Sequence, residues 1–251
     1  MGELRVRPQL YNLDCVAYES VLLGLFTIWH GDPGDRPKLN NVFVGFSRDG
    51  FHWTRGTTRP LVGVSDRRGA WNFGNVQSAG GCCLIVDGSL RFYVSGRAGL
   101  PDSGACSTGL AILRRDGFAS MTPRDRPETR NNGAPPGRLT TRTIEFSGEY
   151  LFVNADVTAG ELRVEVLTAD GGALASFTRE ACLPVRGDAT RHRVEWKDAS
   201  SLAAVRRRPV RLRFHLTAGH LYSFWISQST SGKSGGYLAA GGPGFQGPID
   251  S

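Results

Sequence analysis

The sequence predicts an all-β protein built in two parts. Short apolar runs with alternating polar residues fill most of its 251 residues, and Asp-Gly or Gly-Gly pairs separate them. Long helical periodicity is absent, and only residues 202–206 favour a single helical turn. The 33 glycines and 13 prolines suit many short strands joined by tight turns. We therefore expect sheets throughout the chain.

Residues 1–122 are predicted to form two propeller-like blades of about four strands each. Strands are expected over residues 20–29, 41–47, 51–54, 74–78, 82–86, 90–95 and 109–113, with Phe118 pairing beside the last. The Arg-Asp-Gly-Phe sequence at 48–51 recurs 67 residues later at 115–118, after an apolar run in each copy. A fixed repeat of this length, with four strands per unit, is typical of propeller blades.

The composition changes after the second copy. Residues 123–136 contain four prolines and mixed charge, which predicts a linker. Residues 137–228 are predicted to form a β-sandwich, because short alternating runs recur there at regular spacing. Its strands are expected at 140–146, 150–154, 162–167, 173–177, 193–196, 210–214 and 221–226. Residues 229–251 form a Gly/Ser-rich tail that is expected to be mobile unless it docks on a neighbour.

Bulk properties narrow the classes of function. The net charge is +7, and only three of the 30 basic residues are lysines, so a solvated, arginine-rich surface is expected. No run approaches the roughly 20 apolar residues that span a bilayer, and the first residues lack the apolar core of a signal peptide. A cytoplasmic location is the default expectation. The five cysteines lack C-x-x-C spacing, which favours free thiols over a zinc or redox site.

Residues 47–53, Ser-Arg-Asp-Gly-Phe-His-Trp, resemble the S-x-D-G-x-x-W hairpin of five-bladed propeller glycoside hydrolases, the clan of invertase-like and arabinanase-like enzymes. Residues 11–19 look like the opening of a middle or late blade of such proteins, and residues 71–78 look like the opening of the next blade. Residues 151–156 and 162–166 resemble the β-sandwich appended to many of them. Sialidase-like propellers carry a related hairpin that is one residue longer and matches less well. The resemblance implies a protein that acts on or binds carbohydrate.

The resemblance also implies that this chain is incomplete as a catalyst. The family has five blades, and residues 1–122 have room for about two. In the family the early blades supply most of the catalytic carboxylates, and these blades have no counterpart here. Two blades also leave open strand edges, so we expect self-association or a partner that completes the propeller.

Asp14 and Glu19 are the candidate catalytic residues. Glycoside hydrolysis usually needs two carboxyl groups, one as acid and the other as base or nucleophile. Five positions apart, Asp14 and Glu19 would lie on opposite faces of an ideal strand, so at most one faces a central funnel. Glu19 is favoured, and a solvated or salt-bridged Glu19 is the alternative. The expected pair is not assembled within this chain.

Four residues are candidates for sugar binding. Asn75 and Gln77 lie two positions apart and share a strand face, where their neutral amides could bind hydroxyl groups but not transfer protons. Trp71 could stack on a sugar ring or pack in the core, and Tyr18 is the second aromatic candidate. Asp49 and Asp116, by contrast, are expected to cap their own turns.

No cofactor and no metal site are predicted. The oxygen donors of the second half do not form the dense loop that calcium prefers; these residues are Asn154, Asp156, Glu165 and Asp170. Two other function classes stay open. One is a non-catalytic carbohydrate-binding or interaction module, with Tyr222 and Phe224 on one sandwich face. The other, less favoured, is a nucleic-acid-binding protein that uses the basic stretch 206–213 without a recognised module.

Overall fold

A computed structural model describes residues 7–32, 34, 36, 38–99, 106–123 and 136–251. Most of the predicted linker, residues 124–135, lies outside the described residues. The described chain is all-β, as predicted, with short 3₁₀ helices at Ala175–Phe177 and Ala203–Val205. Within this described part, no helix has the length and apolar character needed to cross a membrane.

Antiparallel strands join into three sheets. The strands are β1 (Gln9–Glu19), β2 (Val21–Trp29), β3 (Asn40–Ser47), β4 (Trp53–Thr54), β5 (Asn75–Val86), β6 (Ser89–Arg97), β7 (Cys106–Arg114), β8 (Gly137–Thr140), β9 (Tyr150–Thr168), β10 (Val185–Arg193), β11 (Val210–Leu216), β12 (His220–Ser227) and β13 (Tyr237–Leu238). The chain forms two compact units. The first is Met1–Leu113 with Gly236–Asp250, and the second is Arg114–Gly235 with Ser251.

The first sheet of the first unit has the order β13-β1-β2-β3-β4. Strands β1 to β4 therefore lie side by side in the order in which the chain makes them. Alternate residues of β2 and β3 bury one face, among them Leu23, Leu25 and Val42, which are at most 1% exposed. At the far corner the carboxylate of Asp49 accepts hydrogen bonds from the backbone N–H groups of Phe51 and His52, so it caps its own turn as expected.

The second sheet has the order β5-β6-β7. The predicted strands at 74–78 and 82–86 are the two ends of β5, and its pairing with β6 is irregular between Ser78 and Cys83. The predicted Asp-Gly hairpin joins β5 to β6. Its residues Asp87 and Gly88 have φ values of 48° and 71°, as a type I′ turn requires.

The predicted strand at 109–113 lies within β7, but the predicted pairing of Phe118 beside it is wrong within the described residues. Phe118 lies in a turn rather than in a strand beside β7. The two Arg-Asp-Gly-Phe copies also differ in backbone geometry. Positive φ falls on Gly50 in the first copy, at 81°, and on Asp116 in the second, at 56°. An identical tetrad therefore makes two different turns, because the strands on either side differ.

The C-terminal tail docks on the first unit. Residues Tyr237 and Leu238 form β13, which pairs with Glu19 and Tyr18 of β1. Leu238 is 1% exposed. The burial of Leu238 holds this part of the tail in place by an apolar contact, which the glycine-rich composition of the tail does not suggest.

The second unit is organised around β9, a strand of 19 residues. Its first half lies between β10 and β12, and its second half pairs with β11, which in turn pairs with β8. The predicted strands at 150–154 and 162–167 are therefore two halves of one strand. Core residues occupy odd positions from Leu151 to Val157 and even positions from Leu162 to Val166. The strand must change the side that it buries within residues 158–161.

Three predicted strands of this unit are shorter or absent. Residues 173–177 include the 3₁₀ helix Ala175–Phe177 instead. β8 ends at Thr140, and Ile144 forms only an isolated bridge. Strand β10 likewise ends before Trp196.

Trp196 shows why an apolar run need not become a strand. Its ring packs edge-on against Phe177 with centroids 5.1 Å apart, and its Nε1 donates to the carbonyl of Val164 at 2.9 Å. A buried indole satisfied in this way anchors a loop on the core without a continuous ladder of hydrogen bonds.

Gly219, just before β12, should tolerate no side chain. Its φ is 117°, and a Cβ there would overlap the carbonyl oxygen of Asp156. We predict that Gly219→Ala lowers the free energy of unfolding by about 2 kcal/mol or more, measured by urea denaturation. Gly171→Ala is the control, because Gly171 has φ 98° with nothing within 4 Å. It should cost only about 1 kcal/mol, and equal losses would contradict the steric argument.

The five thiols should divide into two classes. Cys15 and Cys106 are exposed, whereas Cys82, Cys83 and Cys182 are buried. Burial raises the pKa of Cys82 and of Cys83 to about 12, which suppresses the reactive thiolate. We predict that an aromatic disulfide reagent at pH 8 titrates two thiols in the native protein and all five in denaturant. Cys106→Ser should remove one of the two, and fast reaction of a third thiol would contradict the buried placement.

Candidate functional site

The structure brings Asn75 and Gln77 together with residues of the neighbouring strand. Asn75 lies opposite Arg97, and Gln77 lies opposite Ser95. Cross-strand partners share a face, and so do residues two positions apart on one strand. These four side chains therefore form one polar patch.

The polar patch is partly preorganised. Arg97 Nη1 donates to Asn75 Oδ1 at 3.4 Å, and Asn75 is only 4% exposed. Gln77 and Ser95 are half-buried, and Arg97 is exposed. The patch offers amide, hydroxyl and guanidinium groups to a ligand, a set that can both donate and accept hydrogen bonds.

Tyr93 supplies an aromatic ring on the same face. It precedes Ser95 by two positions, and 48% of it is exposed. Sequence reasoning missed Tyr93, although its alternation with Ser95 and Arg97 along β6 is a signal that could have identified it. An exposed ring beside polar groups is the arrangement that suits one apolar face of a sugar.

Trp71 lies on the other face of this sheet. Its six-membered ring packs on Gly96 and Gly109, where a Cβ would overlap it. Gly96 precedes Arg97, so Trp71 and the Asn75–Gln77 pair are on opposite sides of the sheet. Trp71 remains 40% exposed. Only glycine in β6 and β7 leaves room for this ring.

The position of Trp71 also fixes the orientation of β7. Gly109 faces Trp71. Leu110 and Ile112 lie one and three positions further along β7, so they point to the opposite side of the sheet, which is the side of Tyr93. They are 46% and 64% exposed. We use the name Tyr93 face for seven residues on this side of the sheet. Its members are Asn75, Gln77, Tyr93, Ser95, Arg97, Leu110 and Ile112.

Asp14 lies elsewhere in the first unit, on β1. Asn12 Nδ2 donates to its Oδ2 at 3.1 Å, and Ser78 of β5 also donates to that oxygen. Burial raises the pKa of Asp14, and the Asn12 hydrogen bond opposes this shift. Ser78 lies opposite Val94, on the side of the sheet away from Tyr93. A carboxyl group with a raised pKa is suited to act as a proton donor.

Glu19 and Tyr18 lie at the end of β1. Tyr18 pairs with Val21, so Glu19 falls in the two-residue hairpin turn with φ 49°. Its carboxylate contacts Gly236, where a Cβ would overlap Glu19 Oε2. Tyr18 is 3% exposed and belongs to the core. Burial therefore removes Tyr18 from the candidate sugar contacts, and Glu19 is a turn residue rather than one on a regular strand face.

The oxygen donors considered for calcium have other partners. Asn154 accepts from Arg114 Nε at 2.6 Å, and Glu165 accepts from Arg213 Nη1 at 3.0 Å. Asp156 accepts from the Thr158 hydroxyl at 2.7 Å, and Asp170 accepts from that of Thr168. Among the described residues, no group of three or more His, Cys, Asp or Glu side chains could hold a metal ion.

The side chains proposed for a sandwich-borne site are also engaged. Tyr222 lies under the Arg114 guanidinium at 4.8 Å, and Phe224 packs against Phe214 with ring centroids 5.0 Å apart. Pairing between β12 and β9 is irregular between Leu221 and Ser223. This irregularity changes which residues of β12 face the core, and Phe224 is one of those that pack against the core.

Asp14 should make stability depend on pH in a defined direction. Because its pKa is raised in the folded state, ionisation of Asp14 weakens folding as the pH rises from 3.8 through the raised pKa. We predict that Asp14→Asn gains free energy of unfolding relative to wild type across this window, measured by denaturation at several pH values. Asp66→Asn, at a fully exposed side chain, is the control. A difference between Asp14→Asn and wild type that does not change with pH would contradict the burial of this carboxyl.

No protein-family model and no curated protein match this chain.

Proposed function

We propose that this chain is a glycoside hydrolase-like protein that binds carbohydrate on the Tyr93 face and does not complete hydrolysis on its own. The observation that carries the proposal is the shared exposed face of Tyr93, Gln77 and Arg97. A sugar presents C–H groups on one side and hydroxyls at its edge. The Tyr93 ring suits the first, and the amide and guanidinium groups suit the second.

As part of this proposal, we treat the first two sheets as propeller-like blades. Strands β1 to β4 form an antiparallel meander of four strands, as one blade would. The Asp49 hairpin that carries the family resemblance is at its outer corner, where Trp53 Nε1 donates to the carbonyl of Gly50 at 2.9 Å. The second sheet offers three of the four strands of another blade.

The placement of carboxylates supports binding rather than turnover. The Tyr93 face, as defined above, contains no acidic residue. Asp14 lies on the other side of that sheet beside Ser78, and Glu19 lies in a hairpin turn. Hydrolysis needs an acid and a base or nucleophile around one glycosidic bond. A partner or a second copy would have to supply at least one of them, and Leu110 and Ile112 offer an exposed apolar surface for such contact.

Tyr93→Ala is the direct test. Wild type should bind at least one of fructan, arabinan or xylan oligosaccharides in isothermal titration calorimetry. Tyr93→Ala should weaken that binding by about tenfold, a loss of about 1.4 kcal/mol. Tyr11→Ala is the matched control, because Tyr11 is 53% exposed on β1 and should bind as wild type does. Binding that is equal in both variants would refute the assignment of this face.

Turnover distinguishes the proposal from a complete enzyme. The chain alone should release no aryl group from aryl fructoside, arabinoside or xyloside substrates. Hydrolysis that disappears in Glu19→Gln or Asp14→Asn would replace the binding proposal with a catalytic one.

A further inference from the structure

Strand register gathers arginines on the outer face of β8, β11 and β9 in the second unit. His215 of β11 lies between Arg138 of β8 and Arg163 of β9. Two positions along β11, Arg213 lies between Thr140 and Glu165 in the next row. Neighbouring strands are about 4.8 Å apart, so the cationic groups form a closely spaced grid. We call this grid the Arg face; it comprises Arg138, Arg163, Arg211, Arg213 and His215.

The carboxylates on this face are already shared between cations. Glu165 Oε1 lies 3.0 Å from both Arg213 Nη1 and His215 Nε2. Glu161 pairs with Arg163 at 2.9 Å and also with Arg186. Two carboxylates thus serve three arginines and one histidine, and the positive charge of the arginines remains in excess.

Two arginines of the face have no ion-pair partner. Arg138 is exposed on β8, and Arg211 is half-buried on β11, where its Nε donates only to the Thr143 hydroxyl at 3.4 Å. Neither forms an ion pair among the described residues, although the Asp170 carboxylate interacts with Arg211 at longer range. Their guanidinium groups are available to an anion outside the chain, and guanidinium binds carboxylate or sulfate in a paired geometry.

The centre of the face is a buried pair of polar side chains, His215 and Glu165. His215 is 7% exposed, and its Nδ1 is buried without a hydrogen-bond partner in the described part of the chain. Glu165 beside it is 9% exposed. This buried network holds the side chains at the centre of the face in fixed positions.

From this geometry we infer that the Arg face binds an acidic polysaccharide, one that carries carboxylate or sulfate groups along its length. The inference rests on the proposed carbohydrate function and names its ligand class. Nucleic acid is the competing polyanion. The described strand positions of the face carry no Phe, Tyr or Trp on which a base could stack, and the His215 ring is only 7% exposed. A row of guanidinium groups without rings suits a chain of charged sugars better.

The test uses the full chain, with polygalacturonate and dextran sulfate as acidic probes and dextran as the neutral probe. Fluorescence polarisation at fixed salt should show that Arg138→Gln/Arg211→Gln binds an acidic probe about tenfold more weakly than wild type, with no binding of dextran. Arg207→Gln/Arg208→Gln is the matched control. It removes the same charge from two exposed arginines that precede β11 and should change affinity less than twofold. The thermal unfolding transition of both variants is measured to check that each one is folded.

Two outcomes would overturn the inference. Equal weakening in both double variants would mean that net charge alone drives binding. The face would be assigned to nucleic acid if single- or double-stranded DNA bound more tightly than the acidic probes and the Arg138→Gln/Arg211→Gln variant lost that DNA binding.

Tyr93→Ala separates this inference from the proposed function. If Tyr93→Ala loses neutral oligosaccharides but keeps the acidic probes, the two sites are independent and both proposals are supported. If Tyr93→Ala has no effect and the Arg138→Gln/Arg211→Gln variant alone loses the acidic probes, the Tyr93 face fails and the Arg face is supported.

Discussion

The alternation of side chains along antiparallel strands decides where every candidate site in this protein lies. Side chains of adjacent residues on a strand point to opposite faces. Gly96, which contacts Trp71, is therefore on one face, and Arg97, which pairs with Asn75, is on the other. The same rule places Arg213 and His215 outward while Phe214 between them joins the core. Wherever a strand breaks this rule, the composition of both faces changes.

Local signals were sufficient for much of the fold. The Asp87-Gly88 hairpin, the Asp49 corner and the strands of strict alternation could be predicted, because each depends on residues close in sequence. The pairing and packing partners of each strand could not be predicted in the same way. The change of buried side within residues 158–161 of β9, and the turn that replaces the expected pairing of Phe118, depend on distant packing. An identical tetrad therefore gave the same prediction at two places with different outcomes.

The candidate site was predictable only in part for the same reason. Asn75 and Gln77 share a face as a direct result of their spacing, but their neighbours Ser95 and Arg97 come from strand register. Tyr93 was within reach of sequence reasoning, since it continues the alternation of Ser95 and Arg97. Tyr18 could not be separated from a surface aromatic by sequence alone, because its burial depends on the strands packed around it. The two surfaces proposed to bind sugars also differ in chemistry. The Tyr93 face offers a ring and neutral amides, and the Arg face offers guanidinium groups.

The docking of β13 on β1 has a consequence for the order in which this protein can fold during synthesis. The first unit includes Gly236–Asp250, which the ribosome adds only after all of the second unit except Ser251 has been made. Until then, the edge of β1 at Tyr18 lacks its final partner, and Leu238 is not yet available to bury. A nascent chain thus carries an exposed strand edge for most of its translation, a period in which a chaperone or a neighbouring nascent chain could occupy it.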